Sequence, residues 1–300
     1  MGHPLRVDYG RPLELGVSLT PLAAGLETVE RAVQAAEAGG LDLVGFQDHP
    51  YQWRFVDTWT LIAWLAARTE RIRFFPDVAN LPLRLPAMLS TAVASLDVLS
   101  GGRVELGLGA GAFWEPIGAM GGPVRGPGEA VDALEDAIRI IRLGWSGERS
   151  VSYEGRHYSV KGWHPGPPPA HPVAIWLGAY KPRMLRLTGR LADGWVPSLG
   201  RIGPDALREA ATVVDEAARG AGRDPAELQR LLNVSGAIDA PAEGLTGSVD
   251  DWVEVLAALA TDLGFDTFVF WPADNAPDQV ERFAGDVAPA LRAAIGRARG

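Results

Sequence analysis

The polar residues in "VGFQDHPYQW" (44–53) follow an apolar run and are the first candidates for chemistry. Gln47, Asp48 and His49 end a segment that is otherwise apolar, and buried polar groups need hydrogen-bond partners or a function. A histidine titrates near neutral pH, so His49 at a strand end could exchange a proton with a reacting ligand. The other interpretation is a structural histidine that hydrogen-bonds Asp48 or a backbone carbonyl. Asp48 itself is predicted to orient or cap the loop.

A glycine-rich segment, "GLGAG" (107–111), resembles the glycine loop of a dinucleotide-binding fold. A dinucleotide fingerprint needs a third glycine and an immediate helix, but Ala112 follows here and the next predicted helix begins near residue 128. Two interpretations are left for Gly109, Ala110 and Gly111. Either they pass close to a planar ligand, because glycine lacks a Cβ atom, or they form an ordinary turn.

Small residues and a lysine meet at a predicted helix start in "LGAYKPRML" (177–185). Free backbone N–H groups and the helix dipole make a helix N-terminus a ready anion site. Gly178 and Ala179 leave room for a phosphate oxygen beside Lys181, so the segment favours phosphate binding. The other interpretation is an ordinary loop with a solvated lysine.

Short apolar runs alternate with segments of helical periodicity along almost the whole chain. Strands are predicted at 13–19, 41–47, 72–80, 102–109, 173–179, 194–198, 228–238 and 265–271. Helices are predicted at 27–39, 57–68, from 86, at 128–143, from 182, and at 205–220, 249–263 and 277–297. Eight strand–helix pairs predict an α/β fold, a (β/α)₈ TIM barrel, as a single domain over residues 1–300. Residues 146–172 break the alternation and are predicted to be an insertion between the fourth helix and fifth strand, with a hairpin turning at 154–155.

In such a barrel the binding and catalytic residues lie at the carboxyl ends of the strands. The predicted strands deliver polar, small and aromatic residues there. They are Asp48 and His49 after the second strand, Asp77, Val78 and Asn80 in the third, Gly109, Ala110, Gly111, Phe113 and Trp114 after the fourth, Gly178, Ala179 and Lys181 after the fifth, and Trp271 in the eighth. This collection predicts a site for a large flat ligand.

Composition excludes several classes of function. The chain has 28 Lys and Arg against 37 Asp and Glu, a net charge of -9, which argues against nucleic acid and anionic membranes as partners. Cysteine is absent, which rules out disulfides, thiolate catalysis and Cys-ligated metal. His157, His164 and His171 lack metal-ligand spacing, so no metal is predicted. The N-terminus has no signal-peptide pattern and the longest apolar run (59–67) is too short for a membrane span, so we expect a soluble, cytoplasmic protein.

Three segments together resemble the luciferase-like flavin-dependent oxidoreductases: "GFQDHPYQW", "FFPDVANLPLRLPAMLSTAVASLDVLSGGRVELGLGAG" and "WLGAYKPRMLRLTGRLADGW". The likeness runs from residue 13 to about 270, and "SLDVLSGGRVELGLGAG" is its most specific part. The resemblance implies a TIM barrel that binds FMN or the deazaflavin F420 at its C-terminal face. It also implies a cis peptide at Asp77–Val78 behind the flavin ring, Gly109 to Gly111 along the cofactor tail, Gly178, Ala179 and Lys181 near its phosphate, and a homo-oligomer formed through the second and third helices.

Asp48 and His49, followed by Trp53, are similar to the Asp-His-x-x-x-Trp pattern of the F420-dependent branch. This similarity implies that His49 is the catalytic residue beside the deazaflavin ring. Trp53, Phe113, Trp114 and Trp271 would line the substrate pocket. The sequence departs from the sugar-phosphate dehydrogenases of the family, because Ala112 stands where those members carry an acid and cations for a substrate phosphate are not evident. A sugar-phosphate substrate is therefore disfavoured.

The favoured hypothesis is an F420-dependent oxidoreductase that transfers a hydride between the deazaflavin and a small, fairly apolar organic substrate. A second hypothesis is an FMN-dependent monooxygenase that works with a separate flavin reductase. A third, from another class, is a non-catalytic flavin-binding protein. A NAD-dependent Rossmann enzyme is disfavoured by the eight strand–helix pairs and the missing third glycine.

Overall fold

A computed structural model of the chain describes residues 7–299 and contains a nearly closed barrel of parallel strands. The strands are β1 (Glu14–Leu19), β2 (Leu43–Phe46), β3 (Arg73–Pro76), β4 (Ala79–Asn80), β5 (Leu106–Gly109), β6 (Val151–Glu154), β7 (Ser159–Trp163), β8 (Ile175–Leu177), β9 (Gly194–Trp195), β10 (Gln229–Ile238), β11 (Leu245–Gly247) and β12 (Thr267–Pro272). The barrel strands pair in the order β3-β2-β1-β12-β10-β9-β8-β5-β4. Because β3 and β4 are two halves of one interrupted strand, this order runs around a ring, and the predicted TIM barrel is confirmed.

Helices cover the outside of the barrel between successive strands. They are α1 (Leu26–Ala38), α2 (Thr58–Ala66), α3 (Pro86–Ser100), α4 (Trp114–Ala119), α5 (Pro127–Gly144), α6 (Pro182–Leu191), α7 (Pro204–Gly220), α8 (Val249–Leu263), α9 (Pro277–Arg282) and α10 (Ala288–Arg299). The predicted order of strands and helices is confirmed, with most boundaries shifted by a few residues.

Local sequence signals explain where several helices begin and end. Asp57 caps α2, because its side chain accepts the N–H of Thr60 at 3.0 Å. The helices α3, α5, α6, α7 and α9 each begin at a proline, which suits the first turn because its missing N–H would be unpaired there. The side chain of Ser248 caps α8, and Gly264 ends that helix with a left-handed φ of 72°.

Two apolar layers hold the barrel together. The inner layer consists of Leu43, Phe75, Trp176, Val196, Leu231 and Val269, all almost completely buried. A larger outer layer fills the space between strands and helices. At the amino ends of the strands, Arg73 forms ion pairs with Glu14 at 2.7 Å and Glu105 at 3.0 Å. Polar side chains close the bottom of the barrel, so any cleft must open at the carboxyl ends of the strands.

The structure departs from the predicted elements in a few places. The third strand is interrupted by a cis peptide bond between Asp77 and Val78, which confirms the bond that the family resemblance implied. The strand predicted at 102–109 is shorter than expected and is β5 of the structure. The elements α4 and β11 were not predicted. The predicted C-terminal helix is divided by a π-helical turn, Phe283–Val287. The insertion contains the predicted hairpin, in which β6 and β7 pair antiparallel.

Candidate functional site

A cleft of about 920 Å³ opens at the carboxyl ends of the barrel strands. Its size and place match those of small-molecule sites in barrel proteins. Most residues predicted for the site line it, namely Asp48, His49, Asp77, Val78, Asn80, Gly109, Ala110, Gly111, Phe113, Gly178, Lys181 and Trp271. The structure therefore brings together segments that are more than 200 residues apart in the chain.

His49 lines the cleft among aromatic rings. Its ring centroid lies 5.5 Å from that of Tyr51, with the planes 17° apart, and 5.5 Å from that of Phe113 at 65°. Burial lowers the pKa of His49 below its ordinary value, and the charge of Asp48 offsets this only in part. His49 is therefore neutral at pH 7, with one ring nitrogen able to accept a proton and the other able to donate one.

Asp48 is buried, and its carboxylate holds the neighbouring third strand. Oδ2 accepts the N–H of Asn80 at 2.9 Å and Nε of Arg84 at 3.2 Å, while Oδ1 accepts Nη2 of Arg84 at 2.7 Å. Arg84 also contacts Asp57, the cap of α2, at 2.6 Å. Asp48 thus fixes Asn80 and Arg84 in place, and its oxygens are engaged by groups other than the His49 ring.

The floor of the cleft carries buried oxygen atoms that can accept hydrogen bonds. Asn233 Nδ2 in β10 donates to Asp77 Oδ1 at 3.1 Å. Within the described chain, Asp77 Oδ2, Asn80 Oδ1 and Asn233 Oδ1 are buried without a hydrogen-bond partner. Burial raises the pKa of Asp77 to about 6, and the polar groups of Asn233 and Ser18 offset this only in part. Buried acceptors without donors are costly, so this floor suits a ligand that brings N–H or O–H groups.

Val78 follows the cis bond and packs against the glycines of β5. A Cβ atom at Gly109 would lie 2.7 Å from Val78 Cγ2, and one at Gly107 would lie 2.1 Å from the carbonyl oxygen of Pro76. Gly111 has a φ of +95°, which favours glycine. The segment "GLGAG" therefore contains glycine because Pro76 and Val78, on either side of the cis peptide bond between β3 and β4, leave no room for side chains at Gly107 and Gly109. Val78 in turn lines the cleft.

Two cations lie at one side of the cleft. Lys181 is the N-cap residue of α6 and lines both the main cleft and a smaller cavity of about 290 Å³. Arg201, in the loop after β9, has its guanidinium carbon 5.2 Å from the centroid of the Tyr180 ring. Together with the N-terminus of α6, these side chains suit an anionic group such as a phosphate.

Three predicted site residues lie off the wall of the main cleft. Trp53 is 84% exposed, because the loop after β2 turns outward before α2, and Tyr51 lines the cleft in its place. Trp114 begins α4 and lines the smaller cavity instead of the main cleft. Ala179 is buried, and its carbonyl accepts Nε1 of Trp195 at 2.9 Å. Its two neighbours, Gly178 and Tyr180, line the cleft instead.

The cleft also has lining residues that sequence reasoning missed. Asn233 and Ser235 were hidden in the apolar run of β10, although alternation from the inward-facing Leu231 places both on the inner face of the barrel. The loops after β9 and β10 carry no motif that would have identified the others. Gln47, one of the polar residues named after the second strand, also lines the cleft, and the additional lining residues are Tyr51, Ala79, Ala112, Tyr180, Met184, Val196, Ser198, Gly200, Arg201, Ile202, Asn233, Ser235, Glu243 and Gly244.

Residues 7–299 contain no candidate metal site and no candidate membrane span. Among residues 7–299, no group of three or more His, Asp or Glu side chains could hold a metal ion. In the same part of the chain, no helix is long and apolar enough to cross a bilayer. His171 contacts Asp97 at 2.8 Å and Glu105 at 3.3 Å. This histidine therefore belongs to a cluster of charged side chains.

Comparison with known proteins identifies the family. The family model described as luciferase-like monooxygenase matches residues 12–255, which is most of the chain. The chain belongs to this family. The luciferase-like assignment agrees with the barrel, the cis bond in the third strand and the position of the cleft.

Relatives of this luciferase-like protein include enzymes named for F420. An F420-dependent glucose-6-phosphate dehydrogenase of Kineococcus radiotolerans is 32% identical over 249 residues, which cover 79% of this chain and 72% of that protein. A solved F420-dependent secondary alcohol dehydrogenase, in complex with an F420-acetone adduct, superimposes with a TM-score of 0.80 over 94% of this chain and 99% of that one, at 15% identity. A riboflavin lyase with modified FMN superimposes with a TM-score of 0.81 over 94% and 92%, at 16% identity. These structural likenesses show the shared fold.

Proposed function

We propose that this protein is an F420-dependent oxidoreductase that transfers a hydride between the deazaflavin and a small organic substrate. The observation that carries the proposal is the neutral His49 on the wall of a cleft of about 920 Å³ at the carboxyl ends of the barrel strands. The name of the relative from Kineococcus radiotolerans supports F420 as the cofactor. F420 supplies the hydride chemistry, and the protein supplies binding, orientation and proton transfer.

The residues of the cleft fit this cofactor. Asn233 Oδ1 is buried without a hydrogen bond in the described chain and suits a ligand with a polar N–H group, which a deazaflavin ring has. Val78 gives the cleft an apolar surface on which a ring could rest. Lys181 and the N-terminus of α6 would hold the phosphate of the tail. The match of a polar floor, an apolar support and a cationic edge supports a flavin-type ligand.

His49 would hold or release the proton that accompanies hydride transfer. The lowered pKa of His49 keeps its imidazole neutral, so the ring can accept a proton in one direction of the reaction and donate one in the other. Tyr51 and Phe113 flank the imidazole ring and limit the access of water. Burial raises the pKa of Tyr51 to about 12, so its hydroxyl stays protonated beside His49.

The wall of the cleft favours a small and fairly apolar substrate. Phe113, Ile202 and Trp271 provide apolar surface. The family resemblance implies an acid in the sugar-phosphate dehydrogenases at the position where this chain has Ala112. Arg201 is a cation on this wall that the sequence had not revealed. Glucose 6-phosphate is therefore included among the substrates to be tested.

The test follows the visible absorbance of F420 in the presence of the protein and secondary alcohols or glucose 6-phosphate. Substrate-dependent loss of the oxidised spectrum is expected with an alcohol, and loss of at least 100-fold in rate is expected for His49→Ala. His164→Ala, in the insertion, is the matched control and is expected to retain the rate. If His49→Ala turns over every accepted substrate at the original rate, the assignment of His49 is wrong and a non-catalytic flavin-binding role gains support.

A second candidate function is an FMN-dependent monooxygenase that receives reduced FMN from a separate flavin reductase. The family name and the riboflavin lyase with modified FMN favour it. The test is oxygen consumption by the protein with FMN and a flavin reductase. Substrate-dependent oxygen consumption, together with binding of FMN and not F420, would establish this function in place of the first.

We also propose that two copies of the chain associate through the outer faces of α2 and α3. Leu85, the residue before α3, and Met88 and Leu99 within it are 66%, 65% and 83% exposed and lie on one side of the helix. An exposed apolar stripe of this kind is typical of a protein–protein interface. Light scattering after gel filtration is expected to give the mass of a dimer for the original protein and of a monomer for Leu99→Glu. A monomer in both cases would refute the interface.

A further inference from the structure

We propose that Asn233, held in position by Asp77, recognises the imide N–H of the cofactor ring, an inference that rests on the proposed F420 function. The imide N–H lies between the two carbonyl groups of the pyrimidine part of the ring. Asn233 would act as a binding residue, because its side-chain oxygen would contact the ring. Asp77 would act as a positioning residue through Asn233.

The hydrogen bond between the two side chains fixes which way the Asn233 amide points. Asn233 Nδ2 lies 3.1 Å from Asp77 Oδ1. An ionised carboxylate can only accept hydrogen bonds, so the NH₂ group of Asn233 must face it. Asn233 Oδ1 therefore points away from the carboxylate and is presented as an acceptor. Both residues line the cleft and are more than nine-tenths buried.

Asn233 Oδ1 makes no hydrogen bond in the part of the chain that the structure describes, whereas the hydroxyls of Ser18 and Tyr51 lie beside Asp77 and Asn80. The carbonyl groups of a flavin-type ring cannot satisfy an acceptor, whereas its N–H groups can. The imide N–H is present in both the oxidised and the reduced ring. A fixed acceptor such as Asn233 Oδ1 can therefore bind it throughout the reaction.

The same arrangement costs stability in the protein without ligand. Asp77 is 9% exposed, and the raised pKa of its carboxyl, about 6, reflects the cost of burying its charge. Asp77→Asn removes this charge with little change in shape, so the melting temperature of the ligand-free protein is expected to stay equal or rise. It also frees the Asn233 amide to turn over, so recognition of the ring is expected to weaken. A purely structural role for Asp77 predicts a lower melting temperature for Asp77→Asn.

The test compares F420 with F420 methylated on the imide nitrogen, each titrated into the apo-protein and followed by fluorescence. Methylation is expected to raise the Kd about 10- to 100-fold in the original protein, because a buried acceptor loses its donor. The same loss is expected in Asp286→Asn, a control that removes an exposed acid that does not line the cleft. In Asn233→Ala and Asp77→Asn, methylation is expected to change the Kd by less than about 3-fold.

Two outcomes separate this inference from the proposed function. If F420 fails to bind the original protein, the F420 function is wrong and the inference falls with it. If F420 binds but methylation leaves the Kd unchanged, or weakens binding equally in Asn233→Ala, only the role of Asn233 is refuted. Melting temperatures of all variants without ligand establish that each is folded before the titrations are compared.

Discussion

Removal of Arg84 is expected to destabilise the protein strongly, because it leaves the buried carboxylate of Asp48 without its cation. The Asp48 side chain is only 1% exposed, and Arg84 holds it through two hydrogen bonds of 3.2 and 2.7 Å. Breaking a buried ion pair by removing one partner costs about 3–5 kcal/mol. Arg84 itself is 21% exposed, so water reaches the gap and we expect about 3 kcal/mol for Arg84→Met.

Thermal unfolding converts this free energy into a measurable shift. Unfolding entropy of about 2.1 cal/mol/K per residue gives roughly 0.6 kcal/mol/K for a chain of this length, so about 3 kcal/mol lowers Tm by roughly 5 °C. Differential scanning calorimetry at pH 7 is the assay. The double variant Asp48→Asn/Arg84→Met removes the stranded charge and is expected to recover more than half of the loss.

Arg139→Met provides the matched control for this prediction. Arg139 pairs with Glu135 at 2.9 Å on the surface of α5, where its side chain is 45% exposed. An exposed pair of this kind contributes about 0.5 kcal/mol, so Tm is expected to fall by about 1 °C or less. The reasoning is refuted if Arg84→Met behaves like Arg139→Met, or if the double variant is as unstable as Arg84→Met alone.

Three further predictions concern the site and the base of the barrel. His49→Gln is expected to lower kcat by about 10²–10⁴-fold in the F420 assay while changing the Kd for F420 by less than about 3-fold; equal losses in both would indicate a binding role. Gly109→Val is expected to lower Tm and F420 affinity, since even its Cβ would lie 2.7 Å from Val78 Cγ2, and unchanged values in calorimetry and titration would contradict this packing. The hydrogen bond to Glu105 raises the pKa of His171 to about 9, so the contribution of the protonated ring to stability is complete below about pH 6.5 and is lost as pH rises through 9. Urea midpoints measured from pH 6 to 10 should therefore fall more for the original protein than for His171→Gln. Parallel curves for the two proteins would refute this prediction.

The order of the barrel could be predicted because each strand and helix has its own local signal. Apolar runs mark the strands, and residues such as Asp57, Pro86 and Pro182 mark helix starts. Short elements escaped prediction because their residues contradict the usual signals. The helix α4 contains Pro116 and Gly118, and it therefore resembles a loop in sequence.

The site could be predicted only where it follows directly from strand ends. His49 and Asp77 lie immediately after apolar runs, so the barrel geometry was enough to bring them together. Asn233 lies inside a strand, and its inward direction depends on the register of β10 with its neighbours. The direction of the loop that carries Trp53 is set by tertiary contacts, and a sequence pattern alone could not show that it turns outward. Arg201 and Glu243 lie in loops without regular secondary structure, so no periodic pattern in the sequence predicts that they reach the cleft.

The central claim is that the cleft binds F420, and parallel fluorescence titrations of the apo-protein with F420 and FMN test it most directly. The account predicts saturable F420 binding with a Kd below about 100 μM, equivalent to about 5.5 kcal/mol, and clearly weaker binding of FMN. Tight binding of FMN without F420 would contradict the claim and favour the monooxygenase. Failure of both cofactors to bind would leave the barrel correct and the function wrong.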